Sequence, residues 1–423
     1  MRVAIVGAGL SGMASAYFLQ STHEVTLFER SPRPGGHAAT VTVEHAGATV
    51  QAELGFRYFF KRSYPYFLAL LRILGVAPRW VKGSITIVDE RGEALVLPPR
   101  SLRQLIALVR SPRRIRWLVG LERLRREAGA IVAAGDWSQS LADLLATRRY
   151  PAGFGPGLLY PFVAASWGAP LADTPQLPAY DVCKVMLHPG ADMGFHDFAG
   201  GSAVYVEALT RTLAATRREF GVGVDRLARA GAGWRVTDDR GGVHEFDAVV
   251  VATESFAAAS LLADVPEAAG MCAVIAGFRH FDVDIVVHGD SSLMPPRRAD
   301  WSEINQCHRD DQAWMTDWPG SAQHVPVFRT WLPAGHPEPR EVFARRRFRH
   351  LLVGKENLER QRRLAALQGQ DRLWVAGMYT TDVDNHESAL LSAVAVARGL
   401  APESPALRRL ADEAARSPEP ARA

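Results

Sequence analysis

Gly7, Gly9 and Gly12 close the apolar run Val3 to Val6 with the G-x-G-x-x-G spacing of a turn that cradles phosphate. Gly7 permits the tight turn, Gly9 lets a diphosphate come close to the backbone, and Gly12 lets the following helix pack on its sheet. Leu10 and Ser11 open that helix, where free N–H groups attract anions. A second apolar run, Val25 to Phe28, ends at Glu29, placed to accept hydrogen bonds from a ribose diol. Strand, turn, helix, strand and acid fall within the roughly 30 residues of a βαβ unit, so the pattern predicts a bound dinucleotide.

The next residues narrow the cofactor. Glu29, Arg30, Arg33, Gly35, Gly36 and His37 form an E-R-x-x-R-x-G-G-H string. It resembles the extension found in FAD enzymes of the amine oxidase and phytoene desaturase superfamily. Other segments carry the same resemblance in the same order. Glu53-Leu54-Gly55-Phe56 is similar to the string that leads the chain past the flavin, and Gly200-Gly201-Ser202 to the start of the second cofactor segment. The run ending in Ala252-Thr253 and the string Trp374-Val375-Ala376-Gly377 resemble the later cofactor strands. The resemblance implies FAD, Val224 beside the adenine, and Gly377 at a point where a side chain would intrude on the cofactor. It also implies a closing helix whose N-terminus faces the flavin, preceded by Asp384, Asn385, His386 and Glu387. Asn385 reads equally as a helix cap. His37 lies on the diphosphate path, so no covalent flavin is expected.

These residues need a scaffold. The expected fold class is α/β, a discontinuous Rossmann-like FAD-binding domain (1–80, 196–261 and 366–401) with an inserted α+β substrate domain (81–195 and 262–365). Residues 402–423 form a tail, partly helical. A hairpin is expected around Gly47, a helix from Val204 to Arg217, a strand from Ala248 to Val251 and a closing helix from Ser388 to Arg398.

The substrate segments hold Ile285 to Asp290, Leu293-Met294-Pro295 and Trp301 to Asn305. Together with Gly35-Gly36-His37 and Gly55-Phe56, they resemble a bacterial amine-oxidase-like group known as predicted NAD/FAD-binding proteins. The chain departs from that group around 53–56 and 377–387, both flanking the expected flavin face. Substrate identity therefore does not carry over. The resemblance implies hydride transfer from a substrate carbon to flavin N5 within an apolar slot. Two alternatives keep FAD, a double-bond isomerase or an amine oxidase, and a third is a flavin-binding partner protein without turnover.

Candidate chemical groups are few. His288 and Asp290 could be an acid/base pair on one face of a strand, or structural groups. Lys184 could hold a water near N5, as in some amine oxidases. Phe56, Tyr58 and Phe59 read as pocket walls or as core aromatics, and Tyr160 and Trp167 as further pocket residues. No metal site is expected.

Composition bounds the partners. With 423 residues, 48% hydrophobic and 22% charged, the chain is long enough for two domains with a substantial core. A net charge of +4 without long single-sign blocks argues against nucleic acid. Cys183, Cys272 and Cys307 are odd in number and widely spaced, which fits a reducing, cytoplasmic compartment. The first core strand at Val3 leaves no room for a signal peptide, and no apolar run reaches membrane-spanning length. The expected partner is a small apolar or lipid-like substrate. Arginines scattered through Leu102 to Arg126 mark either a basic amphipathic surface for anionic lipid head groups or a solvated helix face.

Overall fold

The computed structural model describes residues 1–81, 83–186, 194–383 and 385–416. Its centre is a five-stranded parallel sheet in the order Leu373–Val375, Ala248–Val251, Arg2–Val6, Glu24–Glu29, Thr216–Phe220. The inner strands are apolar on both faces because both faces are covered, as parallel sheets require. Val3, Ile5, Ala248 and Val250 join a core with the helices Leu10–Leu19, Pro65–Leu74 and His386–Leu400. Ala4, Val6, Val249 and Val251 face a second core under the three-stranded antiparallel sheet of residues 224–246.

The helix expected to run to Arg217 ends at Thr212. The chain turns there because Thr216 to Phe220 pair with Val25 to Glu29 as the edge strand. The hairpin turns at Gly47, with φ of 77°, between Thr40–His45 and Ala48–Glu53. The closing helix begins at His386, two residues earlier than the periodicity suggests. Beyond it, helix Pro405–Ala415 buries Leu407 and Leu410 against the first core.

A seven-stranded mixed sheet forms the second layer, ordered Val342–Leu351, His280–His288, Phe328–Leu332, Gln312–Asp317, Ile304–Arg309, Ile85–Val88, Ala94–Leu97. Helices from residues 112–186 pack around Trp117, Phe154 and Leu159. Helices Ser255–Leu262, Ala269–Ala276 and Asn357–Leu367 contribute to the second Rossmann core, so the residues on both sides of position 262 share one hydrophobic cluster.

Candidate dinucleotide and active site

The phosphate turn is assembled from backbone. Gly7 has φ of 104°, and a Cβ there would lie 2.6 Å from the Ala252 carbonyl oxygen. A Cβ at Gly12 would lie 1.8 Å from the Gly7 carbonyl oxygen, so glycine at 12 permits the turn itself to close. Gly9 is different: its Cβ position has nothing nearer than the Gly36 Cα at 3.9 Å, leaving open space over the turn. Gly9 offers the helix no side-chain cap, and the first turn contains no acid, so no side chain of the helix itself neutralises its positive end. Leu10 and Ser11 contribute differently from each other. Leu10 is core, while Ser11 Oγ donates to the Ala389 carbonyl at 2.9 Å and ties this helix to the closing one.

Four further segments converge on this turn. The Gly35 amide donates to the Ala8 carbonyl at 2.8 Å. Glu29 accepts from the Ala8 and Ser31 amides at 2.7 and 2.9 Å. The Val222 amide donates to the Glu29 carbonyl at 2.9 Å, and Val224 is buried beside Phe28 in the second core. Ala252 donates its amide to Val6, which puts Ala252 and Thr253 against Gly7. Arg30 remains exposed, 3.4 Å from Asp225.

His37 stacks on Phe348 at 4.6 Å, with Nδ1 3.2 Å from Glu254. Burial holds its pKa well below the ordinary value, so the ring is neutral. The cation here is Arg346, whose Nη1 donates to the Gly36 carbonyl at 2.8 Å from the seven-stranded sheet. Glu53, buried, accepts from Thr40 Oγ1 and from the Ser202 amide, locking the Gly200-Gly201-Ser202 turn beside the hairpin. Neither Arg346 nor Glu53 stood out as a site residue in the sequence. Arg346 lies in an Arg345-Arg346-Arg347 run that reads as surface charge, and Glu53 was visible only as the first letter of a motif.

The far end of the site lies where the two sheets meet. Gly55 approaches His37 so closely that a Cβ would sit 1.8 Å from its carbonyl oxygen. Phe56 stacks on His386 at 3.6 Å and 11°. Tyr205 OH is 2.8 Å from His386 Nε2, and burial lowers the His386 pKa to about 3. Asn385 Oδ1 accepts from the Ser388 amide at 2.9 Å, so its side chain is the helix cap. Glu387 turns elsewhere: its carboxylate accepts from the Tyr66 and Phe67 amides, both at 2.8 Å, and caps helix Pro65–Leu74. Burial raises its pKa to about 7 against those two bonds. At Gly377, φ is 153° and a Cβ would meet the Tyr379 ring at 2.6 Å. Tyr379 alone therefore already calls for glycine at this position. Asp384 lies outside the described residues.

A buried charge network supports this junction. Arg57 pairs with Glu303 at 2.7 Å and Asp317 at 3.4 Å. Tyr58 OH donates to Glu303 at 2.7 Å, and Arg57 lies 4.3 Å over the Tyr58 ring. Arg329 pairs with Asp317 and also donates to the Gly55 carbonyl. Two arginines and two carboxylates balance, so the network positions Gly55 and Tyr58 without net charge. Its members come from positions 57 to 329; of them, Glu303 lies in the Trp301 to Asn305 string, where nothing local marks it as a partner of Arg57.

Other candidates resolve differently. Phe59 is core, packed among Phe67, Phe198 and Tyr205, because its strand-like segment turns it inward. Tyr160 and Trp167 are half-buried in the helical cluster around Trp117 and Phe154. His288 and Asp290 do not form an acid/base pair. The strand ends at His288, which is fully buried with Nε2 2.8 Å from Thr330 Oγ1 and Nδ1 accepting from the Asp290 amide. The Asp290 carboxylate instead accepts from the Ser292 and Arg340 amides. Lys184 pairs with Asp382, and that ion pair outweighs burial and raises its pKa. This puts the lysine against the 377–387 turn.

Residues 5–74 match the family model for an NAD(P)-binding Rossmann-like domain. An L-amino acid oxidase from Cerastes cerastes is 51% identical over 47 residues, which is 11% of this chain and 9% of that protein. A CLA-producing fatty acid isomerase from P. acnes superposes with a TM-score of 0.70 at 14% identity, covering 93% of this chain and 96% of its own. A putrescine oxidase variant with redesigned cofactor binding gives 0.65 at 14% identity, covering 99% and 100%. Reduced UDP-galactopyranose mutase gives 0.65 at 13% identity, covering 98% of each. At these identities the shared property is the fold: a Rossmann-like dinucleotide-binding domain joined to a second, sheet-containing domain.

Proposed function

We propose that the chain is an FAD-dependent oxidoreductase that removes a hydride from an apolar, lipid-like substrate. The observation that carries this reading is the back-to-back contact of the Gly9 and Gly36 turns, with Glu29 on one side and the Gly55-Phe56 junction on the other. A nicotinamide dinucleotide has no need of the second glycine turn, whereas FAD must pass it.

In this reading the amides of the first helical turn and Arg346 hold the diphosphate, and Glu29 holds the ribose. Bound FAD supplies a hydride acceptor. The N-terminus of helix His386–Leu400 directs its positive end toward the junction at Phe56, where it favours negative charge. Tyr58 and Phe60 pack on Phe195, and Phe56 packs on His386 and Phe67, so the junction presents aromatic surface, which suits an apolar substrate and keeps water out. His288 is uncharged at neutral pH, since burial lowers its pKa to about 4, and both its ring nitrogens are engaged within the fold. The short match to an L-amino acid oxidase supports flavin chemistry.

The test is anaerobic titration of the purified holoprotein with long-chain acyl substrates and with amines. Bleaching of the oxidised flavin by an acyl chain, with product lacking two hydrogens, is the expected result. Bleaching by amines alone would overturn the substrate class, and product of unchanged mass would indicate isomerisation.

A further inference from the structure

An apolar stripe on this molecule faces the wrong way. Helix Leu102–Val109 places Leu102, Leu105, Ile106 and Val109 at i, i+3, i+4 and i+7, the spacing that ordinarily turns toward a core. Here none of its residues is buried, and Leu102 and Val109 are 72% and 61% exposed. Ile115 and Val119 on the next helix extend the same surface. Six of the ten exposed large hydrophobic residues among those described therefore fall within 18 consecutive positions, which makes a patch rather than scatter.

The Gln104 side chain faces inward. Gln104 Nε2 donates to the Ala299 carbonyl at 3.1 Å and to Asp300 Oδ1 at 2.9 Å, and Arg100 donates to the Trp301 carbonyl at 2.6 Å. Ser101 caps the helix through the Gln104 amide. The body thus holds the helix through Gln104 and Leu108 and leaves the stripe outside.

Arg103 and Arg110 flank the stripe in the chain, and with Arg91, Arg116 and Arg297 they line a cleft of about 750 Å³ on the other side of the helix, bounded there by Gln104, Ala107 and Leu108. Arg113 and Arg114 also line it and are committed to Asp89 and Glu93. The other five carry no ion pair among the described residues. Apolar side chains bordered by unpaired arginines match the boundary of an anionic bilayer, where the apolar groups enter the acyl region and the guanidinium groups remain among phosphates.

We propose that residues 102–119 dock this protein on the surface of an anionic lipid bilayer. Contact with a second copy is disfavoured by charge, since an isologous interface would set these arginines against themselves. Nucleic acid is disfavoured because Trp117, the aromatic residue of the segment, is buried. No helix among the described residues is long and apolar enough to cross a membrane, so the contact is peripheral.

The test is co-sedimentation of the full-length protein with vesicles of phosphatidylcholine alone or mixed with phosphatidylglycerol. Binding at least tenfold tighter to the phosphatidylglycerol vesicles is expected, weakening with salt and lost in the Leu105→Glu/Val109→Glu variant. Arg110→Glu/Arg116→Glu should remove the preference for anionic lipid. Because these side chains are exposed, the variants should keep the wild-type thermal transition. The proposal is overturned if wild type ignores anionic vesicles at low salt, if the variants bind like wild type, or if Leu105→Glu/Val109→Glu only dissolves a dimer seen by light scattering.

Discussion

Gly36 presses against Gly9 so closely that a Cβ on Gly36 would lie 3.0 Å from the Gly9 Cα, whereas a Cβ on Gly9 meets nothing closer than 3.9 Å. The two glycines are therefore not equivalent. Gly36, with φ of 58°, is needed for the turns to meet, and Gly9 is needed for whatever lies over them. Gly9→Leu should retain the wild-type thermal transition within a few degrees and lose flavin, read as absorbance after gel filtration. Gly36→Val should lower the transition itself. Equal flavin content in Gly9→Leu and wild type would remove Gly9 from the site.

Arg329 joins Asp317 of the second sheet to the Gly55 carbonyl of the cofactor segment. Removing one partner of a buried pair leaves the other charge uncompensated, at a cost of about 3–5 kcal/mol. Arg57, 3.4 Å from the same carboxylate, moderates that cost. Arg329→Leu should lose about 3 kcal/mol of stability by urea unfolding, and the double variant Arg329→Leu/Asp317→Leu should recover part of it. No recovery would show that the two charges are not coupled.

His386 and Glu387 are neighbours that respond to pH in opposite directions. The folded chain holds the His386 pKa near 3, against an ordinary 6.5, so stability is lost as pH falls below 6.5 and the unfolded chain takes up a proton that the fold refuses. The folded chain holds the Glu387 pKa near 7, above its ordinary 4.5, so stability contributed by the retained proton is lost as pH rises from 4.5 through 7. Over pH 4.5–6.5 the two slopes oppose. Glu387→Gln should steepen the acid loss of stability in that window, measured as thermal transition against pH. Parallel profiles for variant and wild type would contradict the buried, protonated Glu387.

His288 has both ring nitrogens engaged and no exposed surface. His288→Gln should therefore lower stability by about 1–3 kcal/mol, the cost of disturbing buried hydrogen bonds, while turnover of the folded fraction stays within about twofold of wild type. A loss of kcat of a hundredfold or more, with the fold intact, would return this residue to the chemistry.

The dinucleotide half of the site was legible because its signals are local: Val3 to His37 carries the strand, the turn, the helix, the acid and the second glycine pair within one βαβ unit. The rest depends on contacts between distant positions. Arg346 reaches Gly36 across 310 residues, Arg329 reaches Gly55 across 274, and Glu53 reaches Ser202 across 149. No periodicity announces such pairs. His288 and Asp290 misled for a related reason. Alternation along a strand predicts a shared face only while the strand continues, and it stops at His288. Glu387 sits beside a cofactor-like motif, yet it serves the amides of Tyr66 and Phe67, whose helix gives no sign in sequence of needing an acid from so far away.

The two glycine turns and Glu29 are expected to hold FAD. Heat denaturation of the purified full-length protein, followed by mass spectrometry of the released nucleotide, tests it most directly. The expected product is FAD, released without covalent attachment, at about one per chain. A protein that releases no flavin after incubation with FAD, or that retains only a nicotinamide dinucleotide, would contradict it.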